Sequence, residues 1–442
     1  MTIYRILFLN LFISFTLNAF SQTYWKIENE HGDEILLTIE VNKSKNTFEA
    51  YSRKDALKDL AGVFTYTLAK AAGKLKYPEI VFIEGTTRSR NDTVLLSGDF
   101  FYFDKHFMFS ASMCGSNFDG KYLDNRGNTH RLIGVMAHDL KPLKDYSAMI
   151  SSAFQLTDQN IFNPLLIKSD EWLDFKKKVE NLKSRISDDY ELAATFFWLG
   201  KKLPFTPFEI NKARPGNSFP ARKNHVGIHE VKMNTVLMDG NSIPGTKKEM
   251  DSIANIVKKN GYGNLVIDLR GNSRLPLASA KLLLDYLADR QFEAGAYLTR
   301  KWTDHNPSIP KSQDYQKLLM PFKDSEFQSG GRYVEKGCYL NIFPTEKTFK
   351  GKVFLLTDSK TSRAAEMVTF TLKSRKIATI VGQKTAGLTV LAEGIKLNSV
   401  YDLILPDCDF YTTEGRSLNS IGIEPDMQKS GDEVMKYVLS VL

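Results

Sequence analysis

The chain has 442 residues, 42% of them hydrophobic and 25% charged, and carries a formal net charge of +8. This length exceeds what one ordinary hydrophobic core accommodates and predicts two or three domains. The cationic residues are spread along the chain instead of forming one run, which argues against a dedicated nucleic-acid-binding protein. We therefore expect no nucleic-acid partner.

The first 21 residues have the pattern of a secretory signal peptide. Arg5 precedes an apolar run over 6–15, and "AFS" at 19–21 presents small residues at the spacing of a cleavage site. We expect cleavage before Gln22 and an exported protein, periplasmic or extracellular. No later stretch approaches the ~20 apolar residues of a membrane span, so we expect no membrane-spanning segment.

Residues 22–150 are predicted to form a β-rich domain, an antiparallel sandwich or a small barrel. Short β-branched and aromatic runs alternate with polar residues between turn residues. A side-chain-filled interior is the commoner arrangement, but an apolar ligand in a barrel stays open as an alternative. The runs are "ILLTIEV", "TFEAYS", "VFTYTL", "EIVFIEG", "TVLLSGDFFYF" and "HFMFSA", within a strand region from Trp25 to about Met149.

A helical subdomain is predicted over 170–212. Trp172, Phe175 and Val179 recur at helical spacing, and 188–203 continues with a second amphipathic run. The helices lead into "LPFTPFEI" at 203–210.

Two histidines and a glutamate then raise the question of a metal site. His225, His229 and Glu230 have a spacing that binds zinc on a helix. The surrounding "HVGIHEV" alternates as a strand, which separates residues four apart. We expect no metal and no other cofactor. Cys114, Cys338 and Cys408 are an odd, widely spaced set that defines no disulfide framework, so one disulfide and three buried thiols both stay open.

Residues 226–442 alternate strand and helix, the pattern of an α/β domain. The strands lack polar alternation, so both faces of the sheet should be covered. Residues 303–350 are rich in Pro, Lys, Asp, Gln and Gly and are predicted to be a long surface excursion. The predicted elements are a helix over Lys247–Lys259, strand "NLVIDL", a helix over 276–290, strand "AGAYLTRKW", strand "KVFLLT", a helix after Arg363 and strand "KIATIVG".

Three motifs of this region resemble the C-terminal-processing, or tail-specific, serine peptidases. They are "NLVIDLRGNSR" at 264–274, "GKVFLLTDSKTSRAAEMVTFTLKSRKIATIVGQKTAG" at 351–387 and "LPDCDFYTTEGRSLNSIGIEPDM" at 405–427. The resemblance covers 170–442 and implies a core of crotonase-like ββα repeats beside the helical subdomain. Most members also carry a PDZ module, but the fewer than twenty residues between Ile210 and Gly227 cannot build one.

The positions that the resemblance makes catalytic hold unsuitable residues. Arg363 stands at the nucleophile position, and a guanidinium stays protonated and has no lone pair for attack. The lysine base of one branch falls on Leu388, and the histidine base of another falls on Pro207. The orienting glutamate falls on Asn419. Acyl transfer needs a nucleophile, a base and an orienting group, so we find no intact catalytic residue.

The loop that should supply oxyanion donors also departs from the family pattern. Its usual Asp-Leu-Arg-Gly-Asn-Gly-Gly is "DLRGNSR" here, with Ser273 and Arg274 in place of glycines. Side chains restrict the backbone turns that aim N–H groups at a ligand. The resemblance leaves Gly271, Asn272, Arg363 and Thr385 as candidate substrate-binding residues.

Ser359, Thr361 and Ser362 are hydroxyls near the nucleophile position, and Ser362 is the candidate replacement nucleophile. One residue along a helix start rotates a side chain by ~100°, which favours Ser362 as a helix N-cap. Lys373 and Lys384 are interpreted as surface charges. For Arg363 two roles stay open: pairing with an internal acid, or receiving an acidic group or C-terminus of a bound peptide.

The favoured function is therefore that of a non-catalytic peptide- or protein-binding pseudoenzyme of a serine peptidase family. An active peptidase with rearranged residues is the first alternative. A ligand-binding function of the β domain is the second.

Overall fold

The structure is a computed structural model that describes residues 20–103, 105–125, 127–213, 227–306, 308–323 and 336–442. Most of the predicted signal peptide and His225 lie outside the described residues. The first strand begins at Phe20, two residues before the expected cleavage at Gln22.

The amino-terminal domain is a closed barrel of eight antiparallel strands, which confirms the predicted β-rich domain and selects the barrel over the sandwich. Strand β1 pairs with β2 on one side and with β8 on the other, so the sheet closes on itself. The strands are β1 Phe20–Asn29, β2 Glu34–Asn42, β3 Thr47–Tyr51, β4 Val81–Arg90, β5 Thr93–Tyr102, β6 Lys105–Cys114, β7 Asn117–Leu123 and β8 Thr129–Ala137.

Side chains fill the barrel interior. The ring of Trp25 lies 6.0 Å from that of Phe118, and the rings of Phe48 and Phe109 are 6.3 Å apart. All four belong to one buried cluster of the barrel strands. This packing is the commoner arrangement for eight strands.

The prediction of a strand at "VFTYTL" is wrong, because this run belongs to a helix. Two short helices, α1 Ala56–Ala61 and α2 Val63–Ala71, connect β3 to β4. Tyr66 is buried and Ala69 packs beside it on the barrel core, a spacing of three that fits a helix. The β-branched residues suggested a strand, but the alanines that follow favour a helix.

Three longer helices follow the barrel: α3 Tyr146–Asn160, α4 Asp170–Leu182 and α5 Asp189–Gly200. The predicted helical runs at 170 and 188 are confirmed. The strand region ends at Ala137 and not near Met149, because Tyr146 begins a helix that Asp145 caps by accepting a hydrogen bond from the Ala148 N–H at 2.8 Å.

The carboxy-terminal part contains two sheets with helices between and around them, as predicted. In the first sheet the order is β10-β11-β12-β16-β17-β20, parallel except for the β10–β11 pair. Its strands are β10 Ile228–Lys232, β11 Thr235–Asp239, β12 Asn264–Asp268, β16 Lys352–Thr357, β17 Thr379–Gly382 and β20 Met427–Gln428.

The second sheet has the order β14-β15-β13-β19-β18, and β9 also pairs with β19. Its strands are β9 Glu209–Lys212, β13 Phe292–Thr299, β14 Met320–Pro321, β15 Gly337–Ile342, β18 Leu391–Lys396 and β19 Tyr401–Tyr411. The helices are α6 Lys247–Lys259, α7 Leu277–Leu287, α8 Arg300–His305, α9 Ser312–Leu318, α10 Ala364–Ser374 and α11 Glu433–Val441.

Two predictions for this region are wrong. The strand predicted at "AGAYLTRKW" ends at Thr299, and Arg300 begins α8. The segment 303–350 is not a surface excursion throughout, because its strand β15 is buried beside β13. The polar composition of the whole segment concealed the short apolar run "CYLNI" within it.

Asp189 joins the barrel, the helices and the second sheet. Its buried carboxylate accepts hydrogen bonds from the hydroxyls of Tyr146 (2.8 Å) and Tyr401 (2.5 Å). The Lys144 ammonium donates at 3.0 Å, and so does the backbone N–H of Glu34 in β2. Burial alone raises the pKa of Asp189, but these donors outweigh burial and hold the pKa below its usual value.

Replacing Asp189 with Ala should lower the free energy of unfolding by about 3–5 kcal/mol, because the donors around it lose their buried acceptor. Chemical denaturation followed by circular dichroism measures the change. Asp174→Ala is the control, since Asp174 forms only an exposed pair with Lys178 at 2.6 Å, and should cost about 0.5 kcal/mol or less. Equal losses in the two variants would contradict the joining role of Asp189.

Candidate functional site

The candidate site begins at the turn between β16 and α10. Asp358 organises this turn, because its Oδ1 accepts the backbone N–H groups of Thr361 (3.0 Å) and Gly271 (2.9 Å). The Thr361 hydroxyl donates to the carbonyl of Leu269 at 2.9 Å. The turn and the loop after β12 are thereby held against each other.

Arg363 adopts a strained backbone conformation at the helix start. Its φ is 60° and its ψ is −127°, a conformation that residues other than glycine rarely take. The backbone N–H of Arg363 donates to the Leu388 carbonyl at 2.5 Å. A sharp, strained turn from a strand into a helix is the geometry that exposes a nucleophile in hydrolases. This chain has that strained strand-to-helix turn, and an arginine occupies the position at which a hydrolase would hold its nucleophile.

The prediction that Ser362 caps the helix is wrong. Arg363 occupies the position before Ala364, the first helical residue, and no side chain caps the helix. Ser362 is only 3% exposed, and its backbone N–H donates to the Asn272 carbonyl at 3.1 Å. The positive φ at Arg363 separates Ser362 from the helix, which a reading of sequence spacing could not detect.

The Arg363 side chain is largely buried and lacks an internal ion pair. Its Nε has no hydrogen-bond partner, and no carboxylate in the described part of the chain pairs with its guanidinium. Burial lowers the pKa of Arg363, the charge of Glu209 opposes this effect, and the nearby Arg274 adds to it. The site therefore contains a largely buried cation with an unused donor.

Glu366 fixes the turn 385–388 against this helix start. Its fully buried carboxylate accepts hydrogen bonds from the hydroxyl of Thr385 and from the N–H groups of Gly387 and Leu388, the last two at 2.6 Å. Burial raises the pKa of Glu366, and these hydrogen bonds oppose the rise. The hydroxyl of Thr385, a candidate substrate-binding residue, is used inside the protein, where it also accepts the Ile423 N–H at 2.7 Å.

The two positions predicted for a base come together, and both are apolar. Leu388 packs against a buried cluster that contains Phe205 and Phe208. Pro207 lies between these two phenylalanines and follows Thr206 through a cis peptide bond. Neither Leu388 nor Pro207 has a titratable group.

The segment that contains Asn419 is hydrogen-bonded to the turn 385–388. The N–H of its neighbour Ser420 donates to the Gly387 carbonyl at 2.6 Å, and the Asn419 N–H donates to the Ser417 hydroxyl at 3.1 Å. The Oδ1 of Asn419 is buried and has no hydrogen-bond partner within the described residues. The orienting position therefore holds a neutral amide.

The loop 270–274 uses its donors internally. Gly271 has a φ of 69°, and its N–H is taken by Asp358, as described above. The Asn272 N–H donates to Leu269 at 3.1 Å, and the Arg274 N–H donates to the Asn272 Oδ1 at 3.1 Å. In this arrangement these three groups do not point at a substrate oxygen.

The remaining predicted residues lie outside the site or on the surface. Lys384 pairs with Glu424 at 2.9 Å, and Lys373 pairs with Asp426 at 3.1 Å. His229 is exposed on β10. Over the described ranges no group of three potential metal ligands occurs. Cys114 is exposed, Cys338 and Cys408 are buried, and all three carry thiols.

The sequence analysis did not identify Glu209 and Asp409 as residues of the site, and it assigned no binding or structural role to Arg274 and Glu366. Glu366 lies three residues after Arg363, so its spacing within the motif was a usable signal. Asp409 is buried and accepts hydrogen bonds from the hydroxyls of Thr389 (2.8 Å) and Ser417 (2.6 Å). Burial raises the pKa of Asp409 to about 6.

Comparisons with known proteins give one sequence match. The sequence profile of peptidase family S41 matches residues 228–429. No curated protein matches the chain at a significant level.

Several solved structures are similar to the chain. A candidate peptidase from Parabacteroides merdae ATCC 43184 is 13% identical over 67% of this chain and 96% of its own, with a TM-score of 0.47. A lipoprotein from Streptococcus agalactiae is 15% identical over 69% and 98%, with a TM-score of 0.43. The photosystem II D1 C-terminal processing protease is 14% identical over 72% and 56%, with a TM-score of 0.32. At these TM-scores we draw no conclusion about chemistry from the likenesses.

Asp409 should make stability depend on pH. Its folded pKa of about 6 lies above the ordinary 3.8, so its contribution is fully present below about pH 4 and is lost as pH rises through 6. Asp409→Asn imitates the protonated form. Between pH 4 and 7 the variant should therefore gain about 3 kcal/mol relative to the parent chain.

Denaturation curves at a series of pH values measure this difference. Thr389→Val is the control, because it removes one donor but keeps the carboxyl group and hence the pH dependence. Parallel stability curves for the parent and Asp409→Asn would contradict the raised pKa.

Proposed function

Residues 228–429 belong to peptidase family S41, and on this premise we propose that the protein is an exported member that binds peptide or protein ligands without cleaving them. The match agrees with the resemblance inferred from the motifs. We propose that the ligand binds in a cleft between the turn at Arg363, the turn 385–388 and the segment around Pro207.

The loss of catalysis is supported by the side chains at the three reacting positions. Arg363 cannot act as a nucleophile, and neither Leu388 nor Pro207 can accept its proton. The surroundings of Ser362 do not fit a replacement nucleophile. It is almost fully buried, and none of the described hydrogen bonds joins its hydroxyl to a histidine or lysine.

Ligand binding is supported by one observation above all, the unpartnered Nε of Arg363. A buried N–H group without an acceptor costs roughly 1–3 kcal/mol. A ligand carboxylate would supply that acceptor and could bond two guanidinium nitrogens at once. Arg274 adds positive charge nearby, and the charge of Glu209 opposes it. The bound group is therefore an acidic side chain or the C-terminus of a peptide.

Export is proposed from the signal-peptide pattern of the first 21 residues. In the part of the chain that the structure describes, no helix has the length and apolar character of a membrane span.

Removing the guanidinium should weaken peptide binding. We expect Arg363→Ala to lower affinity for a labelled random decapeptide pool about tenfold or more, because a charge-assisted hydrogen bond is lost. Fluorescence anisotropy measures the affinity. The parent chain should also prefer pools with free carboxyl termini or acidic residues over amidated neutral pools.

Lys384→Ala is the control, since it removes a cation from the neighbouring turn but not from the cleft. Unchanged affinity in Arg363→Ala would leave Arg363 with a structural role only and would contradict the proposed recognition of a carboxylate.

Restoring a hydroxyl at the strained turn should not restore hydrolysis. We expect neither the parent chain nor Arg363→Ser to digest casein, because the base positions remain leucine and proline. Digestion by the parent chain that Ser362→Ala abolishes would instead support the active-peptidase alternative.

A further inference from the structure

Helix α2, in the connection between β3 and β4, exposes apolar side chains to solvent. Phe64 is 77% exposed, Val63 64% and Leu68 55%. Phe64 and Leu68 lie four positions apart and therefore share one face of the helix, and Val63 lies about 100° away around the helix axis. Only Tyr66 of this nine-residue helix is buried. Large apolar side chains exposed together in this way mark an interaction surface.

Glycines with positive φ bracket this helix. Gly62 has a φ of 78° and Gly73 a φ of 69°, and a Cβ on either would meet no atom within 4 Å. The helix therefore lies between two open turns.

Lysines lie near the apolar residues in the chain, and two of them are paired: Lys58 with Asp55 at 3.5 Å and Lys76 with Glu84 at 2.7 Å. Residues 53–79 contain six cationic side chains against three acidic ones. Lys70 and Lys74 are exposed and form no ion pair within the described residues. One of the three acids, Asp59, is already bound by Arg53 and Arg185, at 2.8 Å and 2.6 Å.

We infer that α2 and its lysines form a peripheral docking surface for an anionic phospholipid membrane. An interfacial helix places Phe and Leu at the boundary of the acyl chains and lysines at the headgroups, which is the distribution seen here. Anionic lipids attract each lysine near the surface. A second copy of the chain fits less well, because symmetric pairing would bring Lys70 and Lys74 towards the same residues of its partner.

Vesicle co-sedimentation tests this inference with the full chain lacking only its leader. The probes are vesicles of phosphatidylglycerol and phosphatidylcholine in equal parts, and vesicles of phosphatidylcholine alone. We expect binding to the anionic vesicles that weakens as salt rises towards ~0.15 M and above. The affinity for the neutral vesicles should be at least about tenfold lower than that for the anionic vesicles.

Two double variants separate the apolar and the charged contributions. Phe64→Gln with Leu68→Gln, and Lys70→Glu with Lys74→Glu, should each lower anionic-vesicle binding about tenfold or more. Glutamine keeps helix propensity, and circular dichroism verifies folding. Met233→Gln, at a residue 87% exposed in the turn between β10 and β11, is the control and should bind like the parent chain.

The inference is overturned if the parent chain does not sediment with anionic vesicles, if it binds neutral vesicles equally, or if the Phe64/Leu68 variant binds unchanged. It is also overturned if light scattering shows a dimer that this variant dissociates while vesicles bind neither protein. That result would assign the face to a second copy. None of these outcomes depends on peptide binding at Arg363.

Discussion

The carboxylate of Glu366 holds the chain segments of the cleft together. It lies fully buried in the first turn of α10 and accepts three hydrogen bonds from the turn 385–388. The Leu388 carbonyl of the same turn accepts a hydrogen bond from the N–H of Arg363. A strained conformation such as that of Arg363 costs about 1–3 kcal/mol and persists only where its surroundings enforce it. Glu366 and the groups that donate hydrogen bonds to it supply that enforcement, so the sharp turn does not depend on which side chain occupies it.

Backbone geometry and chemistry are therefore separable in this cleft. The geometry comes from hydrogen bonds made by buried Glu366 and Thr361 and by the partly exposed Asp358. The chemistry of acyl transfer would come from the side chains at 207, 363 and 388, which are proline, arginine and leucine. Loss of a nucleophile alone would leave a vacant polar site. Here a cation replaces it, and the cleft gains a means of holding negative charge.

The sequence predicted the parts of this structure in which local pattern and tertiary environment agree. The period of 3.6 located α6 and α10, and the apolar runs located β12 and β16. It failed at "VFTYTL", where β-branched residues pack as a helix, and at β15, a short buried strand inside a polar segment. Motif spacing predicted that Arg363, Leu388 and Asn419 lie at one site. It could not show that the Nε of Arg363 lacks a partner, because that depends on how segments far apart in the chain pack around this side chain.

Intact-mass spectrometry after incubation with a fluorophosphonate is the most direct test for an activated serine hydroxyl in the cleft. Such a reagent bonds only to a serine whose proton a neighbouring base can take. We predict an unchanged mass for the folded protein, since none of the described hydrogen bonds joins the hydroxyl of Ser359 or Ser362 to a histidine or lysine. A single added phosphonate on either serine, or on any other, would contradict a binding role without catalysis.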